Sequence, residues 1–111
     1  MQPLKYKRIL IKLSGEALMG ESNNIFDSQT TVSILTQIKT IINLGVEVGI
    51  VIGGGNIFRG IRANELGLKR ANADYMGMLA TVMNGIALKD FLGNLNILAK
   101  IYSALQINNI V

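Results

Sequence analysis

Two short apolar runs, each followed by a glycine turn, place the strongest constraint on how this 111-residue chain can fold. The first run is Arg8–Leu13, which ends at Ser14-Gly15, and the second is Val46–Ile52, which ends at Gly53-Gly54-Gly55. Short β-branched runs bounded by turn signals are typical of buried parallel strands. Parallel strands need crossover helices, so the chain is predicted to form right-handed βαβ units with helices covering a sheet.

The interval between the two runs has the pattern of a single helix. Asp27 or Ser28 can cap its first turn, and apolar residues then follow the helical period to about Leu44. Gly45 stands at the C′ position, where helices commonly end in glycine. The first crossover is therefore predicted to be a capped amphipathic helix.

The rest of the chain is predicted to form a longer helix, from about Ala73 to Leu92, and a third strand from Leu95 to Ile101. The predicted buried stripe of this helix consists of Met76, Leu79, Ala80, Met83, Ala87 and Leu88. The predicted fold class is therefore α/β, with a mainly parallel central sheet.

Two residue types are missing from the sequence, and their absence narrows the possible chemistry. The chain has no cysteine and no histidine, which excludes disulfides, thiolate or histidine zinc sites, and Ser–His or Cys–His catalysis. Any reaction must therefore rely on Lys, Arg, Asp, Glu and backbone groups. Because 50% of the residues are hydrophobic and only 16% are charged, an apolar face is expected to remain for another subunit or for more of the same chain.

Charge and hydropathy bear on partners and location. The net charge is +4, but the basic residues are scattered, and only Lys5-Tyr6-Lys7-Arg8 forms a short cluster. Nucleic-acid binding is therefore disfavoured. The sequence shows neither a secretory signal nor a run of about 18 apolar residues, so a soluble, cytoplasmic protein without a membrane partner is expected.

The first candidate for chemistry is the segment Lys12-Leu13-Ser14-Gly15. Open parallel sheets bind ligands outside the carboxyl ends of their strands, and glycine there lets backbone N–H groups approach an anion. A lysine just before the strand's end can place its ammonium over the turn and stabilise a transferring phosphoryl group. The alternative is a lysine that flanks a strand beside an ordinary turn.

The second candidate is Gly53-Gly54-Gly55-Asn56, followed by Arg59. A close phosphate approach would require such glycines, and Arg59 would supply a planar fork for phosphate oxygens. A flexible turn with a surface arginine is the alternative. The segment matches neither a Walker A loop nor GxGxxG, so the common nucleotide motifs do not apply.

Asp74 is the third candidate, because it falls in the first turn of the predicted long helix. Its carboxylate could accept hydrogen bonds from a pair of hydroxyls, such as those of a ribose. The alternative is a favourable interaction with the helix dipole, which requires no ligand.

Three segments of the chain resemble bacterial UMP kinases, in order and with matching spacing. They are KRILIKLSGEAL at 7–18, VIGGGNIFRG at 51–60 and ADYMGMLATVMN at 73–84. The third separates UMP kinases from the other kinases of the amino-acid-kinase superfamily. The resemblance implies a three-layer α/β/α sandwich of the amino-acid-kinase fold, with residues 1–111 as the amino-terminal part of a single domain whose carboxyl-terminal half is absent.

The same resemblance implies an enzyme of pyrimidine biosynthesis that transfers the γ-phosphoryl group of ATP to UMP, giving UDP and ADP. The residues implied to bind ATP are Lys12, Leu13, Ser14, Gly15, Gly55 and Arg59. Lys12 and Arg59 are implied to be catalytic, and Gly54 and Asp74 to bind UMP. Mg²⁺ is implied to bind mainly through the nucleotide phosphates, with no metal ligand in this chain. A homohexamer and inhibition by UTP are also implied.

The chain departs from the family pattern in two ways. A GEGFG-like segment, often found in family members activated by GTP, is replaced by Gly20-Glu21-Ser22-Asn23-Asn24-Ile25, so GTP activation is not implied. The chain alone is expected to be inactive, because the absent half would hold the adenine site. Two other functions remain open from the residues: a kinase of the same fold acting on a carboxylate or carbamate, and a non-catalytic nucleotide-binding or assembly module.

Overall fold

The computed structural model describes residues 5–58, 67–105 and 107. In chain order, the elements are β1 (Arg8–Leu13), a 3₁₀ helix (Gly15–Leu18), α1 (Ser28–Asn43), β2 (Glu47–Ile52), α2 (Gly55–Phe58) and α3 (Arg70–Asn94). The alternation of strands and helices confirms the predicted βαβ organisation and the α/β class.

The two strands pair in parallel, with a register that runs from Arg8 opposite Glu47 to Leu13 opposite Ile52. The predicted limits of β1 are confirmed, and β2 begins one residue later than predicted. Because the paired strands end level with each other, their two glycine turns become neighbours at the carboxyl end of the sheet.

Local caps fix both ends of α1 where the sequence predicts them. The Asp27 carboxylate accepts hydrogen bonds from the Thr30 backbone N–H at 3.0 Å and from the Thr30 hydroxyl at 2.5 Å. The hydroxyl bond, and after it the backbone bond, lowers the pKa of Asp27 below its ordinary value of 3.8. Leu44 caps the other end, and Gly45 follows with a left-handed φ of 94°.

The core lies on one face of the sheet, under the two long helices. Its buried residues are Leu18, Leu35, Ile38, Leu88 and Leu92. Alternate strand residues pack against them: Ile11, Leu13, Val48, Ile50 and Ile52. On the opposite face, Leu10 and Val51 are 72% and 48% exposed. In the part of the chain that the structure describes, helices α1 and α3 thus form one layer and the two strands form the other.

Helix α3 starts at Arg70 rather than Ala73, and its buried stripe differs from the predicted one. The residues that it buries are Ala80, Val82, Asn84, Leu88 and Leu92. The prediction was wrong for Met76, Leu79 and Met83, which are exposed, and for Ala87, which is half-buried. The helix is turned so that small and polar side chains face the glycine turn after β2, where long methionine side chains would not fit.

The prediction of a third strand was also wrong for residues 95–101. Leu95 and Asn96 complete the end of α3, since their N–H groups donate to the carbonyls of Leu92 and Gly93, and Asn96 has a left-handed φ of 63°. Beyond them the chain is extended, and Leu98 and Tyr102 are 102% and 85% exposed. A cavity of about 680 Å³ separates this segment from β2. Among the described residues, no backbone hydrogen-bond ladder crosses this cavity. The side chains of the segment still alternate between exposed and half-buried, although the segment is not paired as a strand.

None of the helices in residues 5–58 and 67–105 is long and apolar enough to cross a membrane.

Candidate functional site

The two glycine turns contact each other through their backbones. A Cβ atom added to Gly15 would lie 2.7 Å from the Gly55 nitrogen, 2.8 Å from the Gly53 oxygen and 2.5 Å from the Asn56 side-chain oxygen. The Gly53 N–H also donates to the Leu13 carbonyl at 3.0 Å, which carries the ladder one residue beyond β2. Glycine at position 15 is therefore required by close backbone packing, and the two candidate phosphate segments lie side by side.

The second turn rests directly on helix α3. A Cβ atom on Gly54 would lie 2.9 Å from the Ala80 Cβ and 3.3 Å from the Gly77 oxygen. The Gly54 carbonyl accepts hydrogen bonds from Ile57 and Phe58, which starts the single turn of α2. The backbone N–H groups of Gly54 and Gly55 donate to no other described residue. Two adjacent N–H donors are thus available to an anion at the carboxyl end of the sheet.

Two buried asparagines hold this arrangement, and the sequence pattern alone predicts no role for their side chains. Asn56 and Asn84 are 4% and 0% exposed. The Asn84 amide donates to the Gly53 carbonyl at 2.7 Å and to the Asn56 side-chain oxygen at 2.6 Å. The Asn56 amide donates back to Asn84 at 3.0 Å and to the Ile25 carbonyl at 3.1 Å. The sequence signal for this pair is an asparagine at a helix position that faces the core. A buried amide needs hydrogen-bond partners, so such a residue indicates a polar contact inside the fold.

The side chains of Lys12, Leu13 and Ser14 lie in different environments. Lys12 lies near the end of β1 on the sheet face opposite the core; it is exposed and makes no ion pair within the described residues. Leu13 packs against the core. The exposed Ser14 uses its hydroxyl oxygen to accept the Ala17 N–H at 3.2 Å, which caps the 3₁₀ helix. The structure therefore leaves the Lys12 ammonium available at this end of the sheet.

Asp74 lies one turn into α3 rather than in its first turn, because the helix begins at Arg70. The favourable effect of a helix dipole on a carboxylate fades beyond the first turn, so this explanation for Asp74 is weakened. Asp74, Gly77 and Thr81 are spaced to share one face of the helix, and Gly77 and Thr81 border Gly54. The exposed Asp74 is thus on the same helix face as the second glycine turn, towards the helix start.

Glu16 is a further charged residue at the site. A Cβ atom on Gly55 would lie 3.0 Å from the Glu16 Cγ and 3.1 Å from one of its carboxylate oxygens. Among the residues that the structure describes, no group of three or more acidic, histidine or cysteine side chains is arranged to hold a metal ion. Arg59, which is predicted to bind the phosphates, lies outside the described residues.

A model of the amino acid kinase family matches residues 7–109 of the sequence. The chain belongs to this family. The uridylate kinase of Histophilus somni (strain 129Pt) is 51% identical to it over 109 residues, which is 98% of this chain and 45% of that protein. The chain spans about half the length of the curated relatives that it matches.

Solved structures of the amino acid kinase family show the same fold. The UMP kinase from Ureaplasma parvum is 40% identical and superposes with a TM-score of 0.85, covering 97% of this chain and 46% of that one. The UMP kinase from Bacillus anthracis is 49% identical, with a TM-score of 0.75 over 80% of this chain and 36% of that one. These matches confirm the predicted amino-acid-kinase fold. They also confirm the resemblance to UMP kinases on which the site residues were assigned.

Proposed function

We propose that this chain is the amino-terminal part of a UMP kinase, a single-domain enzyme that transfers the γ-phosphoryl group of ATP to UMP. The observation that carries the proposal is the backbone contact between the two glycine turns. That contact brings the N–H groups of Gly54 and Gly55, which have no acceptor among the described residues, beside the segment that follows Lys12. Phosphoryl transfer depends on positioning and on the stabilisation of charge, which is what converging N–H donors and a cation provide. The names of the relatives support UMP as the acceptor.

The donor side of the proposed site is formed by the segment after β1. The proposed ATP-binding residues are Lys12, Leu13, Ser14, Gly15, Gly55 and Arg59. Lys12 neutralises charge on the transferring group, because its ammonium has no carboxylate partner among the described residues. Arg59 is proposed to share this role. Mg²⁺ would accompany ATP and neutralise its phosphates, because phosphate oxygens are the hard ligands that this cation prefers.

The acceptor side is formed by Gly54 and Asp74. Gly54 offers its N–H to the phosphate of UMP, and the close packing of the Gly54 turn on α3 fixes the distance between that phosphate and the helix. The Asp74 carboxylate, towards the start of the same helix face, would accept hydrogen bonds from the ribose hydroxyls. These roles account for a carboxylate that neither an ion pair within the described residues nor the helix dipole explains.

The remaining features of the proposal concern the whole protein. We propose that it works in the cytoplasm, in pyrimidine biosynthesis, as a homohexamer inhibited by UTP. Exposed apolar side chains on α3, such as Tyr75, Leu79 and Met83, support association with other subunits. The chain alone is proposed to be inactive, since it spans about half the length of its relatives.

Phosphate transfer by the complete protein to UMP, CMP, aspartate and carbamate tests the proposal. With Mg-ATP as donor, we expect the highest kcat/KM with UMP. Faster phosphorylation of aspartate or carbamate would instead indicate a kinase of a carboxylate or carbamate. No transfer to any of the four acceptors would indicate a non-catalytic protein and contradict the proposal.

Two lysines of the same strand region provide a matched test of the donor side. Lys12→Met is expected to lower kcat/KM by about 100-fold or more, because it removes a cation from the transferring group. Lys7→Met removes the same charge at the amino end of β1, and should change kcat/KM by less than about twofold. Equal losses in both variants would mean that Lys12 acts only through the net charge.

A further inference from the structure

We propose that Asn84 is a positioning residue, which sets the direction of the Gly54 N–H and thereby the affinity for the acceptor phosphate. This inference rests on the proposed function, because it takes UMP as the ligand of Gly54. It concerns a residue on the buried side of the turn, which no substrate has to touch.

One peptide unit links the buried anchor to the exposed N–H group. The Gly53 carbonyl and the Gly54 N–H belong to the same planar trans peptide, so they point in opposite directions. The Asn84 amide donates to the Gly53 carbonyl at 2.7 Å, whereas the Gly54 N–H has no acceptor among the described residues. Because Asn84 holds the Gly53 carbonyl towards α3, the Gly54 N–H points away from the helix side of the turn.

The orientation of the Asn84 amide is itself determined by its neighbours. One of its protons goes to the Gly53 carbonyl, the other to the Asn56 side-chain oxygen, and its own oxygen accepts from the Asn56 amide at 3.0 Å. The second Asn56 proton is used by the Ile25 carbonyl. All four amide protons are thus engaged, and no buried side-chain polar atom of the described residues lacks a partner. A flipped Asn84 amide would place its oxygen against the Gly53 oxygen, so only one orientation is favourable.

Two contacts keep the peptide close to this anchor. Gly54 packs against α3, where a Cβ atom would meet the Ala80 Cβ at 2.9 Å. The Asn56 side chain also lies against Gly15 of the first turn. Four hydrogen bonds of the amide pair therefore join α3, the second glycine turn and the loop at Ile25, and the first turn is held by packing against Asn56. A buried network of this kind specifies one arrangement when every member is satisfied.

The test uses the complete protein with two substitutions at position 84. Asn84→Asp keeps the shape of the side chain but cannot donate a hydrogen bond when ionised, so the Gly53 carbonyl should turn away. Asn84→Ala removes the anchor without adding a charge, and covers the case in which the aspartate variant does not fold. In each, we expect the KM for UMP to rise about tenfold or more, because a donor to a charged phosphate is misdirected. The KM for ATP should change by less than about threefold.

A control variant separates positioning from loss of stability. Leu88 lies one turn beyond Asn84 in α3, is buried in the core and is not among the nearest neighbours of the glycines in the two turns. Leu88→Ala should lower the Tm while leaving the KM for UMP unchanged at temperatures where the protein is folded. An equal rise in KM for Leu88→Ala would show that any loosening of α3 has this effect, and would overturn the inference.

Crystal structures of the position-84 variants give a measurement that does not depend on activity. We expect the Gly53–Gly54 peptide to rotate, and its carbonyl to leave the direction seen in the wild type. A carbonyl that keeps its direction in both variants would overturn the anchoring role, whatever the kinetics. A rotated peptide with an unchanged KM for UMP would overturn the link to the acceptor phosphate. If the wild type did not phosphorylate UMP, the proposed function would be wrong, and the crystal structures would still decide whether Asn84 orients the turn.

Discussion

Two regions beside β2 are packed in opposite ways. At its carboxyl end, the glycine turn touches both the first turn and α3, and the asparagines behind it are 4% and 0% exposed. Along its free edge, a cavity of about 680 Å³ separates β2 from residues 97–104, and Leu98 is 102% exposed. We refer to these regions as the turn end and the open edge.

The difference shows which contacts the described residues make by themselves. At the turn end, small residues allow close approach and every buried side-chain amide has a partner, so the arrangement needs no further atoms. The open edge has apolar residues of suitable alternation but nothing that pairs with them among the described residues. Contacts among the described residues therefore define the candidate site, whereas they leave the open edge of β2 without a paired strand.

The largest expected effect comes from adding one methyl group at the turn end. Gly15→Ala would place a Cβ atom within 2.8 Å of backbone atoms of Gly53 and Gly55, and backbone cannot move aside as a flexible side chain can. We expect a loss of stability at or above about 1–3 kcal/mol. We also expect at least about a 100-fold loss of kcat/KM in the complete protein, because the two turns are forced apart. Urea unfolding and the UMP assay measure the two effects.

Gly93→Ala provides the matched control. Gly93 lies in the last turn of α3, and a Cβ atom there would meet no described atom within 4 Å. The same substitution should leave activity unchanged and stabilise the helix by up to about 1 kcal/mol. If Gly15→Ala were as well tolerated as Gly93→Ala, the turns would not be in contact and the comparison between the two regions would fail.

The next largest effect is a difference in stability between alanine substitutions of two leucines, Leu88 and Leu98, which line opposite sides of the cavity. In the 111-residue chain, Leu88→Ala should cost about 2–5 kcal/mol, because Leu88 is 4% exposed and its loss leaves a core cavity. Leu98→Ala should change stability by less than about 0.5 kcal/mol, since its side chain is exposed. Urea unfolding of both variants measures the difference.

The same pair of variants can sharpen the comparison in the complete protein. In the complete protein, Leu98→Ala could lower the free energy of unfolding nearly as much as Leu88→Ala does. That result would mean that other residues fill the open edge. Equal costs already in the 111-residue chain would contradict the description of this edge as open.

The parts of the fold that sequence predicted best are those that local interactions decide. The limits of β1 and the caps of α1 depend on residues a few positions apart, such as Asp27 with Thr30 and the glycine at 45. The third strand was predicted wrongly because a strand exists only through its ladder, and alternation of apolar residues cannot reveal whether a partner is present. The face of α3 was misjudged because the methionines satisfy the helical period, whereas the glycine turn admits only smaller side chains.

In the candidate site, too, the local features could be predicted from the sequence and the long-range contacts could not. Its glycines could be located from sequence because each follows a strand, and the strand register brings them together. The pairing of Asn56 with Asn84 spans 28 residues of sequence and could not be inferred from either segment alone. The exact helix start matters as well: the dipole explanation for Asp74 lost its support once α3 was found to begin at Arg70.

The smallest expected effect comes from the cap at the start of α1, where Asp27 accepts hydrogen bonds from Thr30. Because hydrogen bonds from Thr30 lower the pKa of Asp27, the ionised carboxylate favours the folded state. This contribution is present above the ordinary pKa of 3.8 and is lost as the pH falls through the lower pKa of the folded state. Asp27→Ala should therefore lower the Tm at pH 7, and its difference from the wild type should shrink as the pH falls below about 3.8.

Asp27→Asn separates the charge from the cap. Asparagine is about as favourable as aspartate at an N-cap and can still accept the Thr30 N–H, but it does not titrate. The variant should therefore keep most of the Tm at pH 7 and lack the part of the acid sensitivity that comes from position 27. If wild type and Asp27→Asn lost stability in parallel below pH 3.8, the ionised cap would contribute nothing to the acid response. The acid sensitivity would then arise from other carboxylates, and the first turn of α1 would be held by the hydrogen bonds to Thr30 irrespective of charge.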